Sequence, residues 1–321
     1  MHYNLLGKTG RKMEGNYLAF AWEIALMENI QKVIGNTFLV NVASFFTILG
    51  QDIVPVAMMA VFYWCVSKDF GKYIATNVIA GCVYNPMIKN LFVRRRPYFD
   101  NLNIKCLKPV EEEYDIYSIA HQGWSFPSGH STVAVTGYTS LAFYGKKLPY
   151  VLVGIIIPFF IGCSRFCLGV HYPTDVMGGW LLGLMCIGLI TLIKKLLKKE
   201  EYVYLFLVLT GLPGVFYCNT TDYFTSYGLM IGLFAGFIFE KHFVNFEVTH
   251  KPLRCIVRVA AGLGIFVLFN YVVKLPFSKE FLSSTSAASY AFRLVRYALD
   301  AFIVAGLYPM LFVKCDRFFN K

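Results

Sequence analysis

Charged residues are scarce in this chain, and that scarcity is the first constraint on its structure. Only 15% of the 321 residues are Asp, Glu, Lys or Arg, whereas 57% are hydrophobic. Because a soluble globular protein usually carries about 25% charged residues, this chain has too little polar surface to face water. The composition predicts a polytopic membrane protein that folds as one continuous bundle.

Cysteine pairs and a leader pattern are also missing. The nine cysteines form no CxxC pair, and most lie inside apolar runs, which is typical of small buried hydrophobic residues. The first stretch, MHYNLLGKTGRKMEGNYLAF, has neither the apolar core nor the small-residue cleavage site of a signal peptide. We therefore expect buried thiols and no cleaved leader.

Acidic residues are few compared with basic ones. There are 19 Asp and Glu against 30 Lys and Arg, giving a net charge of +11. The positive charge lies in short runs between apolar stretches, as in KKLLKKEE at 194–201, which is typical of membrane topology signals. Since no nucleic-acid-binding motif accompanies this charge, we predict no nucleic-acid partner.

Long apolar segments predict an all-α bundle of about ten spanning helices. A spanning helix needs about 20 residues, so the shorter segments must extend into their flanks. Ahead of them, residues 16–34 mix apolar positions with charged ones, which predicts an amphipathic interfacial helix. The apolar segments lie at 36–50, 53–67, 73–92, 131–145, 151–168, 174–193, 202–217, 225–240, 256–274 and 295–313.

The distribution of lysines between the segments predicts an orientation. Lysine-rich linkers such as 194–199 fall on one side, which should be cytoplasmic together with both termini. The long loop 94–129 falls on the outer side, yet it begins with three arginines at 94–96. Positive charge that the topology rule does not explain indicates an anionic ligand. The acidic run EEEYD at 111–115 is interpreted as a solvated loop face.

Three polar stretches interrupt the apolar pattern, all on the predicted outer side. They are KNLFVRRRP at 89–97, PSGH at 127–130 and SRFCLGVHYPTD at 164–175. Lys89 and Arg96 are seven residues apart, close to two helical turns, so they share one face if the helix extends that far. Pro97 is expected to mark the end of that helix. Asn85, one turn earlier, is a candidate for positioning Lys89.

Together these stretches resemble the type 2 phosphatidic-acid phosphatase (PAP2) superfamily, which includes vanadium haloperoxidases and membrane lipid phosphatases. The resemblance implies a six-helix catalytic core over about 36–193, after an N-terminal segment 1–35. About four additional spanning helices would form a C-terminal extension at 194–321. The residues that fill the family signature are Lys89, Arg96, Pro97, Pro127, Ser128, Gly129, His130, Ser164, Arg165, His171 and Asp175.

The chemistry of a phosphate ester explains the basic and small polar residues of the three stretches. A phosphate is a dense anion, and its transfer needs charge neutralisation. Lys89, Arg96 and Arg165 supply three cations, and guanidinium groups can fork onto paired phosphate oxygens. Ser128 and the Gly129 amide stand where a helix should begin, and free N–H groups at a helix start bind anions. We predict a phosphate cradle there.

The third stretch supplies a candidate nucleophile. Asp175 follows His171 by four residues, and Pro173 favours a helix start between them. The carboxylate can accept from one imidazole nitrogen and leave the other free to attack phosphorus. The resemblance implies that His171 forms a phosphohistidine, that Asp175 orients it and that His130 serves the leaving oxygen and then water. No metal or other cofactor is expected, because the three cations neutralise the phosphate.

These features predict an integral phosphatase of the cell membrane that acts on a phosphorylated lipid, with its active site on the extracytoplasmic side. The headgroup would be a phosphomonoester or a pyrophosphate, and Phe92, Phe126 and Phe166 offer a route for its tail. A lipid-linked phosphotransferase remains an alternative, since the same residues would serve it. A non-catalytic transporter is a second alternative, which the clustering of polar residues at one interface disfavours. Vanadate-dependent halogenation is disfavoured because those relatives are soluble.

Overall fold

The computed structural model describes residues 19–319 apart from positions 36, 52 and 112. Within this part of the chain all regular structure is helical, as predicted, and no strand occurs. The predicted interfacial segment is described only from residue 19 onward. Residues 1–18 and Glu112 of the acidic loop lie outside the described residues.

The part of the chain up to residue 197 contains both long and short helices. The prolines and glycines of the loops divide them, and π-helical turns at Phe62–Val66 and Val135–Thr139 interrupt two of them. The helices are α1 (Ala21–Ile34), α2 (Thr37–Leu49), α3 (Ile53–Val61), α4 (Lys68–Phe92), α5 (Pro97–Asp100), α6 (Ile119–Gln122), α7 (Gly129–Ala134), α8 (Ser140–Gly145), α9 (Leu148–Cys167) and α10 (Pro173–Leu197).

The helices after residue 197 form a second group, which we call the extension. They are α11 (Glu200–Gly211), α12 (Gly214–Tyr217), α13 (Thr221–Phe239), α14 (Pro252–Lys274), α15 (Lys279–Ser283), α16 (Ala287–Phe302) and α17 (Pro309–Phe319). On α14, Val267 and Leu268 are largely exposed. Apolar side chains on the outside of such a helix are suited to contact with lipid tails rather than water.

Five helical segments of the described chain are long and apolar enough to cross a bilayer, or six if the bent pair α1–α2 counts as one. Ten had been predicted. Fewer spans are found than predicted for two reasons. Some predicted spans are short helices, as in α2, α3 and α11. Helix α4 is long enough but too polar. It is 25 residues long and carries Lys72, Asn77 and Asn85, which are buried inside the bundle.

Helix α4 lies at the centre of the fold and carries Lys89 in its last turn. It packs against α7 and α10 on one side and against α13 of the extension on the other. Most of its length is therefore buried, which explains why its polar residues do not face lipid. The position of Lys89 depends on both groups of helices.

Polar contacts join α4 to the extension at both ends. Near its start, the Lys68 ammonium lies 2.8 Å from the fully buried carboxylate of Glu240, which also accepts from the Tyr63 hydroxyl at 3.1 Å. Near its end, Asn90 Nδ2 donates to Thr220 Oγ1 at 3.0 Å. Because Asn90 directly follows Lys89, the extension helps to fix the end of α4 where the polar stretches meet.

Small residues allow α13 and α16 to approach closely. A Cβ atom added to Gly232 would lie 1.9 Å from the carbonyl oxygen of Ala298, and one added to Gly228 would lie 2.3 Å from that of Leu294. Glycines spaced by four residues form one face of a helix and let two backbones touch in a membrane. Only glycine fits these two positions at the present helix separation.

Gly232→Val should therefore destabilise the extension, because its side chain must push the backbone of α16 away. We expect a loss of about 1–3 kcal/mol or more in the free energy of unfolding, as in overpacked cores. Gly264→Val is the matched control, since an added Cβ there meets no atom within 4 Å. Thermal unfolding in detergent measures both; equal melting temperatures for the two variants would contradict the close packing.

Candidate active site

The turn between α9 and α10 brings His171 into the interior of the protein. Gly169 adopts a positive φ of 79° there, and the carbonyl oxygen of Lys105 would lie 2.1 Å from an added Cβ, so only glycine fits. Pro173 then occupies the first turn of α10, as the sequence predicted. The resulting geometry buries both His171 and Asp175.

The His171 imidazole is held between a carboxylate and a guanidinium. Its Nδ1 lies 3.4 Å from Asp175 Oδ2, and its Nε2 lies 3.2 Å from Arg96 Nη1. The contact of Nδ1 with the carboxylate is electrostatic and lacks hydrogen-bond geometry, whereas Nε2 lies within hydrogen-bond distance of the guanidinium. Burial, followed by the positive charges of Arg96 and Arg165, lowers the pKa of His171 well below its usual range. The imidazole is therefore neutral at pH 7.

The Asp175 carboxylate is fully buried and saturated with donors. Its Oδ1 lies 2.6 Å from Arg94 Nη1. Its Oδ2 accepts from the Tyr172 amide at 2.7 Å and from the Ser125 hydroxyl. These donors fix the plane of the carboxylate, so that one of its oxygen atoms points at His171. Ser125 belongs to none of the signature stretches, and no sequence signal identified it.

Arg94 and Glu23 extend this arrangement away from His171. Arg94 is nearly fully buried, and its Nη2 lies 2.8 Å from Glu23 Oε2. Glu23 is one of the charged positions in the helix predicted to lie at the interface, but its carboxylate is completely buried. The positive run 94–96 had indicated an anionic ligand, and its first two arginines pair with carboxylates of the protein. Arg94 is occupied by two carboxylates, and Arg95 pairs with Asp100 at 2.8 Å.

Ser128 and Gly129 form the beginning of α7, where the sequence placed a cradle. Ser128 caps the helix, with its hydroxyl oxygen accepting from the Ser131 hydroxyl at 2.9 Å. Asn85 on α4 fastens this loop, since its Nδ2 donates to Pro127 O at 3.2 Å and to Thr132 Oγ1 at 3.0 Å. Asn85 thus contacts the cradle loop, whereas the sequence had suggested a role in positioning Lys89.

Lys89 and Arg96 reach the site from different elements. Helix α4 ends at Phe92, so the predicted helical face shared by Lys89 and Arg96 does not exist. Arg96 instead precedes α5, which begins at Pro97; the expectation that Pro97 marks a helix end is therefore wrong. The Arg96 side chain is anchored by Gln122 O at 2.9 Å and Val170 O at 2.9 Å. Lys89 Nζ lies 3.9 Å from the Cβ position of Gly129.

His130 and Arg165 face a common cavity of about 230 Å³. Arg165 is nearly fully buried and donates to the Thr47 hydroxyl. His130 lies within electrostatic reach of Lys89, Arg96, Arg165 and His171, so the three polar stretches meet there. The residues that line the cavity are Thr47, Gln51, Lys108, Pro109, Val110, Glu111, His130 and Arg165. Lys108 and Thr47 were not singled out by the sequence, since they belong to no motif.

The charges gathered around His171 favour an anion. The cations outnumber the carboxylates, and burial in a medium of low dielectric strengthens their attraction for a phosphate. The cations are Lys89, Arg94, Arg96 and Arg165, and the carboxylates are Glu23, Asp175 and Asp222.

The fold and the site define a membrane-embedded helical protein with a buried, cationic histidine site. Comparison with family models agrees with this class. Residues 69–199 match the model of the PAP2 superfamily, and residues 224–318 match the model described as PAP2 superfamily phosphatase, transmembrane extension. The chain therefore belongs to the PAP2 superfamily and carries both its domain and its transmembrane extension.

Curated relatives resemble about a third of this chain. Phosphatidylglycerophosphatase B of Bacillus subtilis is 35% identical over 113 residues, which cover 31% of this chain and 55% of that protein. Undecaprenyl-diphosphatase of Sulfolobus acidocaldarius is 29% identical over 117 residues, covering 36% and 52%. Lipid A 1-phosphatase of Rhizobium etli is 28% identical over 115 residues, covering 35% and 45%. The chain thus spans about half the length of the relatives it matches.

One solved structure is also similar. The crystal structure of a transmembrane PAP2-type phosphatidylglycerolphosphate phosphatase from Bacillus subtilis matches with a TM-score of 0.42 and 26% identity. The match covers 55% of this chain and 88% of that one.

The lowered pKa of His171 predicts a pH-dependent stability. Below about pH 6.5 the unfolded chain takes up a proton on this histidine while the folded protein does not, so stability falls as the pH falls. The contribution is about 1.4 kcal/mol per pH unit until the folded pKa is reached. Unfolding of the wild type and of His171→Gln between pH 7.5 and 5.5 should differ by this slope. His121→Gln, at an exposed histidine, should behave like the wild type; equal slopes for all three would contradict a neutral His171.

Proposed function

We propose that this protein is an integral-membrane phosphatase that hydrolyses the phosphomonoester or diphosphate headgroup of a lipid through a phosphohistidine at His171. The observation that carries the proposal is the orientation of the imidazole. Nδ1 faces Asp175 at 3.4 Å, and Nε2 faces Arg96 at 3.2 Å. A phosphoryl group bound by the Arg96 guanidinium would bring its phosphorus atom against the lone pair of Nε2.

The reaction proceeds in two steps. In the first, His171 Nε2 bonds to phosphorus as the bond from phosphorus to the lipid oxygen breaks. His130, which enters this step as an imidazolium beside the bound phosphate dianion, gives the leaving oxygen its proton and becomes neutral. In the second, water transfers a proton to His130 and attacks phosphorus, and the phosphorus–nitrogen bond breaks to release inorganic phosphate. Lys89, Arg96 and Arg165 neutralise the charge on the phosphoryl oxygens in both transition states. Asp175 stabilises the charged imidazole between the steps.

A lipid substrate is supported by the apolar surface beside the cradle. The Phe92 and Phe126 rings lie 4.8 Å apart, and about half of Phe92 is exposed. Burying each CH₂ group of a tail against such a surface contributes about 0.8 kcal/mol. Phe166 has a different setting, since it packs against Met27 and Tyr172 inside the protein. The relatives are named as phosphatases of lipid substrates, which supports this substrate class.

Phosphate release from three esters tests the function. In detergent with EDTA present, long-chain phosphatidic acid should exceed glucose 6-phosphate in kcat/KM by about two orders of magnitude, since about four buried methylenes already provide that difference. A short-chain analogue should fall between them. His171→Ala should lose at least about a thousandfold in kcat, as nucleophile replacements do.

His121→Ala is the matched control, because His121 is exposed and stacks on Tyr114 in the outer loop. It should keep the wild-type rate. Near-normal release from His171→Ala would remove this histidine from the nucleophile role. Equal efficiency on all three esters would instead exclude a tail-binding site and the lipid substrate.

The active site is further proposed to face the outside of the cell membrane. Lys68 and Lys194 lie at the ends of α4 and α10 that are remote from Lys89 and Asp175. Positive linkers are retained on the cytoplasmic side, so the opposite ends of these helices would be external. An external site suits a lipid phosphate in the outer leaflet.

Thiol labelling of intact cells tests this orientation. Glu113→Cys should react with an impermeant reagent from outside, because residue 113 is exposed in the loop beside the site. Lys198→Cys should react only after permeabilisation. The wild type, whose own cysteines set the background, is the control. The reverse labelling pattern would turn the active site toward the cytoplasm.

A further inference from the structure

A chain of alternating charges runs from helix α1 to the candidate nucleophile. It begins at Glu23, whose Oε2 lies 2.8 Å from Arg94 Nη2, and continues from Arg94 Nη1 to Asp175 Oδ1 at 2.6 Å. It ends where Asp175 Oδ2 lies 3.4 Å from His171 Nδ1. Each of the four side chains is almost completely withdrawn from solvent. Ion pairs in such surroundings are little screened and hold their geometry.

Glu23 is oriented toward the site by more than one contact. Besides Arg94, its carboxylate accepts from the Thr174 amide at 3.0 Å and from the Phe20 amide at 3.0 Å. Thr174 directly precedes Asp175 in the first turn of α10. Glu23 therefore attaches α1 both to the cation that contacts Asp175 and to the backbone beside Asp175.

Arg94 is suited to join two carboxylates. Its guanidinium presents donors in a planar fork, with one nitrogen directed at Glu23 and the other at Asp175. Its Cζ atom lies 4.2 Å from the centre of the Tyr172 ring, and Nη1 also donates to Thr174 Oγ1 at 2.7 Å. These contacts hold the guanidinium in one place, so that it cannot follow a bound phosphate.

We infer that Glu23 and Arg94 are positioning residues for the phosphoryl transfer. Arg94 keeps the Asp175 carboxylate charged and directed at His171, and Glu23 keeps Arg94 in place. A buried carboxylate without its cation would bear a large desolvation cost. Without Glu23, Arg94 would lose one of the two carboxylates that hold it and would no longer keep Asp175 directed at His171. The inference rests on the proposed role of His171 as nucleophile and assigns to α1 a part in catalysis.

Kinetics of charge-neutral variants test this inference. Glu23→Gln and Arg94→Gln should lower kcat by about 10- to 100-fold, the range seen when outer-shell partners of metal-binding histidines are replaced. KM should change by less than about twofold, because neither side chain contacts the substrate and the loss concerns the transition state. Arg94→Lys should recover only part of the rate, since one ammonium cannot present two parallel donors.

Two neighbouring residues provide matched controls. Glu28→Gln removes a carboxylate from the same helix, where it accepts from Asn103 Nδ2 at 3.0 Å. Arg95→Gln removes the adjacent guanidinium, which pairs with Asp100. Both should keep the wild-type kcat. The double variant Glu23→Gln, Arg94→Gln should have the same kcat as Arg94→Gln alone. Glu23 acts through Arg94, so the effects of the two substitutions on kcat are not additive.

The outcomes separate this inference from the proposed function. If His171→Ala is inactive and Glu23→Gln has the wild-type kcat, the positioning role is wrong and the nucleophile stands. If Glu23→Gln raises KM and leaves kcat unchanged, the positioning role is also wrong, because α1 would then affect substrate binding rather than the transition state. If His171→Ala keeps its activity, the proposed function is wrong, regardless of the kcat of Glu23→Gln. Should Arg94→Gln not fold, Glu23→Gln and Arg94→Lys still decide the question.

Discussion

The burial of the Asp175 carboxylate is the constraint on which the site depends. A charge that has lost water must be compensated by donors and by an opposite charge, and here Tyr172, Ser125 and Arg94 provide them. These partners come from three separate segments of the chain. Bringing them together also brings His171 against Arg96. The geometry proposed for phosphoryl transfer is thus a consequence of keeping one buried anion satisfied.

The central position of α4 explains why the extension matters to a site that it does not line. Lys89 stands at the end of α4, and the contact between Asn90 and Thr220 fixes that end from the side of the extension. The buried ion pair of Lys68 and Glu240 fixes the other end. A helix held at both ends cannot tilt freely, so the distance between Lys89 and the Gly129 cradle is controlled from both halves of the protein.

Sequence patterns spanning a few residues predicted local structure correctly more often than patterns spanning two or more helical turns. The helix starts at Gly129 and Pro173 follow from local chemistry, namely a serine cap and a proline in the first turn. A helical face shared by Lys89 and Arg96 was predicted from their spacing only if the helix extended to Arg96, and α4 ends at Phe92. Predicted span lengths were less accurate where polar residues such as Asn77 are buried in the bundle rather than placed in loops.

The sequence by itself determined the helical membrane class and the family, because composition and three motifs with fixed spacing carry that information locally. It also supplied the residue types of a phosphate site. The signature had singled out Arg96 among three adjacent arginines. Only the tertiary structure decided that Arg94 joins two carboxylates, because its partners lie on other segments of the chain. It alone revealed Glu23, whose partners Arg94 and Thr174 lie 71 and 151 residues further along the chain. Contacts over such separations depend on how helices pack, which no local pattern encodes.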